Sequence, residues 1–102
     1  MTRQQLVNLL YGEKSPKNLV DLTYELRQYL SQELVLGLNF RQSPAEDPTQ
    51  DGEYLVHHMT YGWCLYGFTV KDRWGNDDTI LNKKGEECCK VTLWTDLSFL
   101  ED

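Results

Sequence analysis

Residues 53–72, EYLVHHMTYGWCLYGFTVKD, decide how the rest of the chain is read. This stretch holds three of the six tyrosines, one of the three tryptophans, both histidines and one of the three cysteines. Aromatic and β-branched side chains suit a pleated, half-buried surface, and glycines interrupt any helical run, so the stretch reads as a central β-hairpin. A turn centred on Tyr61 places residues whose numbers sum to about 122 opposite one another, which pairs His58 with Cys64. Strand alternation separates Tyr54, Val56, His58, Cys64, Tyr66, Phe68 and Val70 from Leu55, His57, Met59, Tyr61, Trp63 and Leu65. The first set is the more continuously apolar and is expected to face a helix. The second then leaves Tyr61 and Trp63 on an open face.

Beyond the hairpin the pattern continues as a meander. Asp72 to Asp78 has the glycine and Asx residues of a turn, Thr79 to Asn82 reads as a third strand, Lys83 to Glu86 as the next turn, and Cys88 to Trp94 as a fourth strand. Before the hairpin, Thr2 is a candidate N-cap, with Leu6, Val7, Leu9 and Leu10 giving a short apolar face and Gly12 in the left-handed position that ends a helix. Ser15-Pro16 reads as an N-cap and first helical position, followed by Leu19, Leu22, Leu26, Tyr29, Leu30 and Leu34 at intervals of three and four. This spacing predicts one amphipathic helix over 16–35, stopping near Gly37, with 38–40 extended. RQSPAEDPTQD, residues 41–51, reads as a solvated, mobile loop joining the two halves. The expectation is a single domain over 1–102, with a helical part (1–37), a loop (38–52) and a β part (53–102). Its fold class is α+β: a short N-terminal helix and one longer amphipathic helix packed on an antiparallel, roughly four-stranded meander sheet.

At 102 residues, 40% hydrophobic and 12% aromatic, the chain suits one folded domain with a modest core. No apolar run is long enough to span a membrane, and the first residues carry no small-residue cleavage site. Three cysteines, two of them adjacent, do not make a disulfide framework, which points to a reducing compartment and a cytoplasmic location. The net charge of −6 is unevenly spread. Residues 1–44 carry five basic against four acidic side chains, whereas residues 45–102 carry five against twelve, a balance of −7. Such a surface repels phosphate backbones and steers basic partners, which argues against direct nucleic-acid binding.

Candidate chemistry is sparse. Adjacent strand positions send His57 and His58 to opposite faces, so one of them at most belongs to any site. His58 with Cys64, joined by Cys88 or Cys89, would make a Cys/His zinc or thiol site if the fourth strand approached them. C-x-x-C and H-x-x-x-H spacings are absent, and the acidic surroundings oppose a thiolate nucleophile. Asp72, Asn76, Asp77 and Asp78 lack the spacing of a calcium loop. No phosphate-cradling glycine loop or hydrolase motif occurs, and no cofactor is implied. The composition therefore points to a small, acidic, non-catalytic protein-binding module. Its concrete form is an inhibitor of immunity, antitoxin or phage-blocker type, covering a basic nucleic-acid-handling protein. Tyr61, Trp63, Trp74, Asp72, Asp77, Asp78, Glu86 and Glu87 form the expected contact set, aromatics supplying lasting contacts and charge the encounter rate. The alternatives are the Cys/His site and a structural subunit or homodimer using its aromatic face.

Overall fold

The computed structural model describes residues 1–13, 15–43, 45–75, 79–81 and 83–101, with the backbone alone at 79, 80, 87 and 88. Helix α1 spans Arg3–Tyr11 and starts at Thr2, where a capping box links the Thr2 and Gln5 side chains to each other's backbone N–H. Gly12 ends the helix in extended rather than left-handed backbone (φ −79°, ψ 177°). Glycine is needed there for space, because a Cβ would lie 2.6 Å from the Asn8 carbonyl oxygen.

The expected helix over 16–35 is two helices. α2 spans Leu19–Leu26 and α3 spans Gln32–Leu36. Pro16 is buried ahead of α2, and Asn18 takes the N-cap by accepting a hydrogen bond from the Asp21 N–H. The break comes at Ser31, whose extended backbone and side-chain bond from the Leu34 N–H open a new helix. Leu22, Leu26 and Leu30 are buried in a single core despite the break. Past it the burial shifts by one residue: Val35 is buried while Leu34 is exposed. Among the described residues no helix is long and apolar enough to cross a membrane.

The hairpin is β2 (Gly52–His58) and β3 (Gly62–Phe68), with opposite residues summing to 120, as in Tyr54 with Tyr66 and Val56 with Cys64. The loop is Met59-Thr60-Tyr61, and Gly62 carries the positive φ of 72° that a three-residue hairpin loop requires. His58 therefore faces Gly62 and not Cys64. Its buried ring stacks against Tyr61 and Tyr66 at 4.5 and 5.3 Å, and its Nδ1 accepts the Thr60 and Tyr61 N–H groups at 3.0 and 3.3 Å. Those two bonds place the neutral ring's proton on Nε2. His58→Phe keeps the stack but deletes the acceptor. A loss of about 1–2 kcal/mol in urea unfolding is expected, and an unchanged midpoint would mean that the loop holds itself.

The sheet is not a meander. β1 (Arg41–Gln42) and β6 (Val91–Thr95) complete a four-stranded antiparallel sheet in the order β1-β6-β2-β3, while β4 (Thr79–Leu81) and β5 (Glu87–Cys89) form a separate two-stranded ribbon. The predicted fourth strand is thus divided between ribbon and sheet.

Both sheet faces are buried, with the expected alternation but the opposite assignment of sides. Leu55, Trp63, Leu65 and Leu93 meet the helices in one core, together with Leu6, Leu22 and Leu26. Val56, Cys64, Phe68 and Trp94 form a second core with Trp74, Cys89 and Val91. Each fully buried leucine or valine contributes about 1.5–3 kcal/mol relative to an exposed one. Residues 43 and 45–51, from the stretch expected as a loop, and residues 69–75, which cover the end of the expected hairpin strand and the start of the expected turn, are tied together over this second core. Trp74 Nε1 donates to Ser43 Oγ (3.1 Å), Trp94 Nε1 to the Glu46 carbonyl (2.6 Å), and the Tyr54 hydroxyl to the Gln50 carbonyl (2.8 Å). Arg73, held at φ 60°, donates through Nε to Asp47 Oδ2 at 2.9 Å. The 41–51 segment is therefore a specifically bonded cover, not the free loop its composition suggests.

Candidate binding groove

The expected contact residues are not one surface. Tyr61 is 70% exposed at the hairpin loop, whereas Asp72 is exposed beyond the far end of β3, roughly 20 Å away by the rise of a seven-residue strand. Trp63 and Trp74 are core residues at 3% and 1% exposure, which corrects their expected outward placement. Trp63 belongs to the sheet row that the helices cover, and Trp74 is enclosed in the second core on the other face. Glu86 is exposed beside the ribbon strand β5. Asp77 and Asp78, and the side chain of Glu87, lie outside the described residues.

Of the proposed zinc ligands, the described ones are buried or already engaged. The His58 Nδ1 is occupied by two backbone donors, Cys64 is buried opposite Val56, and Cys89 Sγ accepts the Val91 N–H at 3.3 Å. The Cys88 side chain lies outside the described residues. Among the described residues no three His, Cys, Asp or Glu side chains are placed to hold a metal ion.

The structure instead assembles a groove of about 550 Å³ on the helix-facing side of the sheet. Its floor is a row running across all four strands, from Gln42 on β1 through Leu93 on β6 and His57 on β2 to Trp63 on β3. Lys17, Asn18 and Leu19, at the entry to α2, supply one wall, and Ser43 and Thr92 complete the lining. The volume lies within the range of small-ligand clefts.

Two local features fix the polar groups of this floor. The β2–β6 register shifts between His57 and His58, so Thr92 is the extra residue of a bulge and has no partner in the ladder. Bulges re-aim side chains. Here Thr92 Oγ1 donates to the His57 carbonyl (3.1 Å) and lies 3.0 Å from His57 Nδ1. A hydroxyl has one proton; with that proton on the carbonyl, Oγ1 accepts from Nδ1–H, and the neutral His57 ring is left with Nε2 as an acceptor. The ring also packs edge-on against Trp63 at 4.9 Å. Ser43 Oγ gives its proton to Asp47 Oδ1 (2.8 Å) while accepting from Trp74, so it has no donor left for a ligand.

Electrostatically the groove differs from its surroundings. Its lining contains a lysine and no carboxylate, in a chain with 16 acidic against 10 basic residues. Two carboxylates, Asp96 and Asp51, act instead on Tyr54. Burial, then Asp96 and Asp51, raise the Tyr54 pKa, while the Asp96 carboxyl is held below its usual value first by its bonds from Ser98, with Arg41 adding to them.

The sequence pattern puts His57 and Trp63 on the open face of the sheet, with Trp63 as a partner contact, and gives Lys17, Gln42 and Thr92 no role. The β2–β6 pairing that unites them leaves no local sequence signal. The fold is that of an α+β protein with a four-stranded antiparallel sheet. Compared with family models, curated proteins and solved structures, the chain matches none.

Proposed function

We propose that this chain is a non-catalytic protein-binding module that docks on a basic partner, in its most concrete form an inhibitor covering a nucleic-acid-handling surface. One observation supports this reading: the seven-charge acidic excess of residues 45–102. Some of these acids already have cations. Arg73 pairs with Asp47, Arg3 with Glu53 and Arg41 with Glu46. Asp51, Asp72 and Asp96 are exposed, and the acidic excess exceeds what the basic residues of this half can neutralise. An uncompensated field of this kind speeds encounter with a positively charged surface, and like charge excludes nucleic acid itself. With Trp63 and Trp74 in the core, the apolar part of the contact reduces to Tyr61 and its exposed neighbour Met59.

The test is affinity capture from native cells with the wild-type chain and with D72K/E86K as parallel baits, at about 50 and about 500 mM salt. A basic protein recovered at low salt by wild type, and depleted at least about tenfold both by high salt and by the charge reversal, is the expected outcome. Recovery of the same protein whatever the salt or the bait would sink the proposal.

A further inference from the structure

We infer that the groove above the Gln42–Leu93–His57–Trp63 row is a binding site for a small aromatic carboxylic acid that also carries a hydroxyl group. The inference does not rest on the acidic-surface reading, since the groove is the place where that surface has no acids.

Three properties of the lining select this chemistry. The floor combines Leu93 with the His57 ring and the buried Trp63 that it packs against edge-on at 4.9 Å. A planar apolar ligand is suited to such a floor, because aromatic pairs favour offset and edge-to-face contact. Next, the fixed charge of the lining is the Lys17 ammonium, and neighbouring amide N–H donors on Asn18 and Gln42 add to it. Asn18 Oδ1 is committed to the Asp21 N–H, which leaves its NH2 group to donate. A cationic ligand would find no counter-charge here, while a carboxylate would find a cation and two amides.

The third property is directional. With the Thr92 proton on the His57 carbonyl, Oγ1 accepts from Nδ1–H, and the other nitrogen of the neutral ring is then an acceptor. A ligand with no donor leaves that acceptor to water; one with a hydroxyl satisfies it. Recognition by a positioned acceptor discriminates strongly between a hydroxylated ligand and its plain analogue. Thr92 is here a positioning residue, and His57 and Lys17 are the contacts.

The full chain would be titrated with 4-hydroxybenzoate, benzoate, benzamidine and inorganic phosphate, following the His57 and Trp63 ring resonances by NMR. Saturable shifts with 4-hydroxybenzoate at a Kd on the order of 1 mM are expected for so small a probe. Benzoate should bind more weakly, and benzamidine and phosphate should leave both rings unmoved. Lys17 is exposed, so Lys17→Glu should keep the wild-type backbone spectrum while weakening 4-hydroxybenzoate by about tenfold. Thr92→Val should shrink the preference for 4-hydroxybenzoate over benzoate. Absence of saturable shifts up to about 10 mM would overturn the inference, as would benzamidine or phosphate binding as well as 4-hydroxybenzoate, or indifference to Lys17→Glu.

Discussion

Replacing Trp74 with alanine is expected to remove about 3–5 kcal/mol of stability, a large part of the roughly 5–15 kcal/mol available to a domain of this size. Trp74 is 1% exposed, and its ring meets Phe68 at 4.8 Å, Tyr54 at 5.9 Å, Tyr66 at 6.3 Å and Trp94 at 6.5 Å. Deleting it leaves a cavity lined by aromatic rings that cannot collapse into the space. It also removes the indole donor to Ser43, whose hydroxyl in turn positions Asp47 against Arg73. Guanidinium unfolding should show the lowered midpoint. Trp74→Phe separates the two contributions: it retains most of the ring and should lose about 1–2 kcal/mol, chiefly the hydrogen bond. An alanine variant within about 1 kcal/mol of wild type would mean that the second core is not a packed unit.

Leu26→Ala, on the other side of the sheet, should cost about 2–5 kcal/mol. Leu26 is fully buried at the last turn of α2, where its core includes Leu22, Leu30 and Leu55. An eight-residue helix has little stability of its own, so tertiary packing of this face is what keeps α2 folded. Loss of helical circular dichroism should therefore track loss of stability in this variant. The Trp74 variant, by contrast, should first loosen amide protection in 43–51 and 69–75. Simultaneous loss of both regions in either variant would show that the two cores form one cooperative unit despite the sheet between them.

How far the sequence was readable is shown by particular residues. Thr2 starts the first helix as expected because an N-cap is local chemistry, whereas Gly12 ends it at the expected place but through lack of space for a Cβ and not through left-handed backbone. The hairpin register lies two positions from the expected one, since Tyr61 reads as the loop centre while Gly62, the residue that tolerates positive φ, fixes the loop one residue earlier. A shift of two preserves alternation, so the two side-chain sets stayed intact. Their sides were exchanged because both are apolar, and the cover over the second face comes from 43–51, a stretch whose prolines and acids look solvated. Leu22, Leu26 and Leu30 continue an unbroken helical period through 27–31, which concealed Ser31 as a new N-cap. The groove was not legible at all. It depends on pairings such as His57 with Leu93 and Gln42 with Leu93, between residues 36 and 51 positions apart (93 − 57 and 93 − 42).

The place of β6 between β1 and β2 sets the order in which this molecule can come into being on a ribosome. The hairpin β2–β3 can close as soon as it is made, but β1 has no strand to join, and β2 has one bare edge, until residues 91–95 have been synthesised. Until then the apolar residues of the hairpin lack their full cover, and the groove lacks the Leu93 and Thr92 that complete its floor. Loop closure over such separations delays folding toward the millisecond-to-second range typical of non-local β pairing. The nascent chain therefore passes through an interval in which its stickiest strand is finished and its sheet is not.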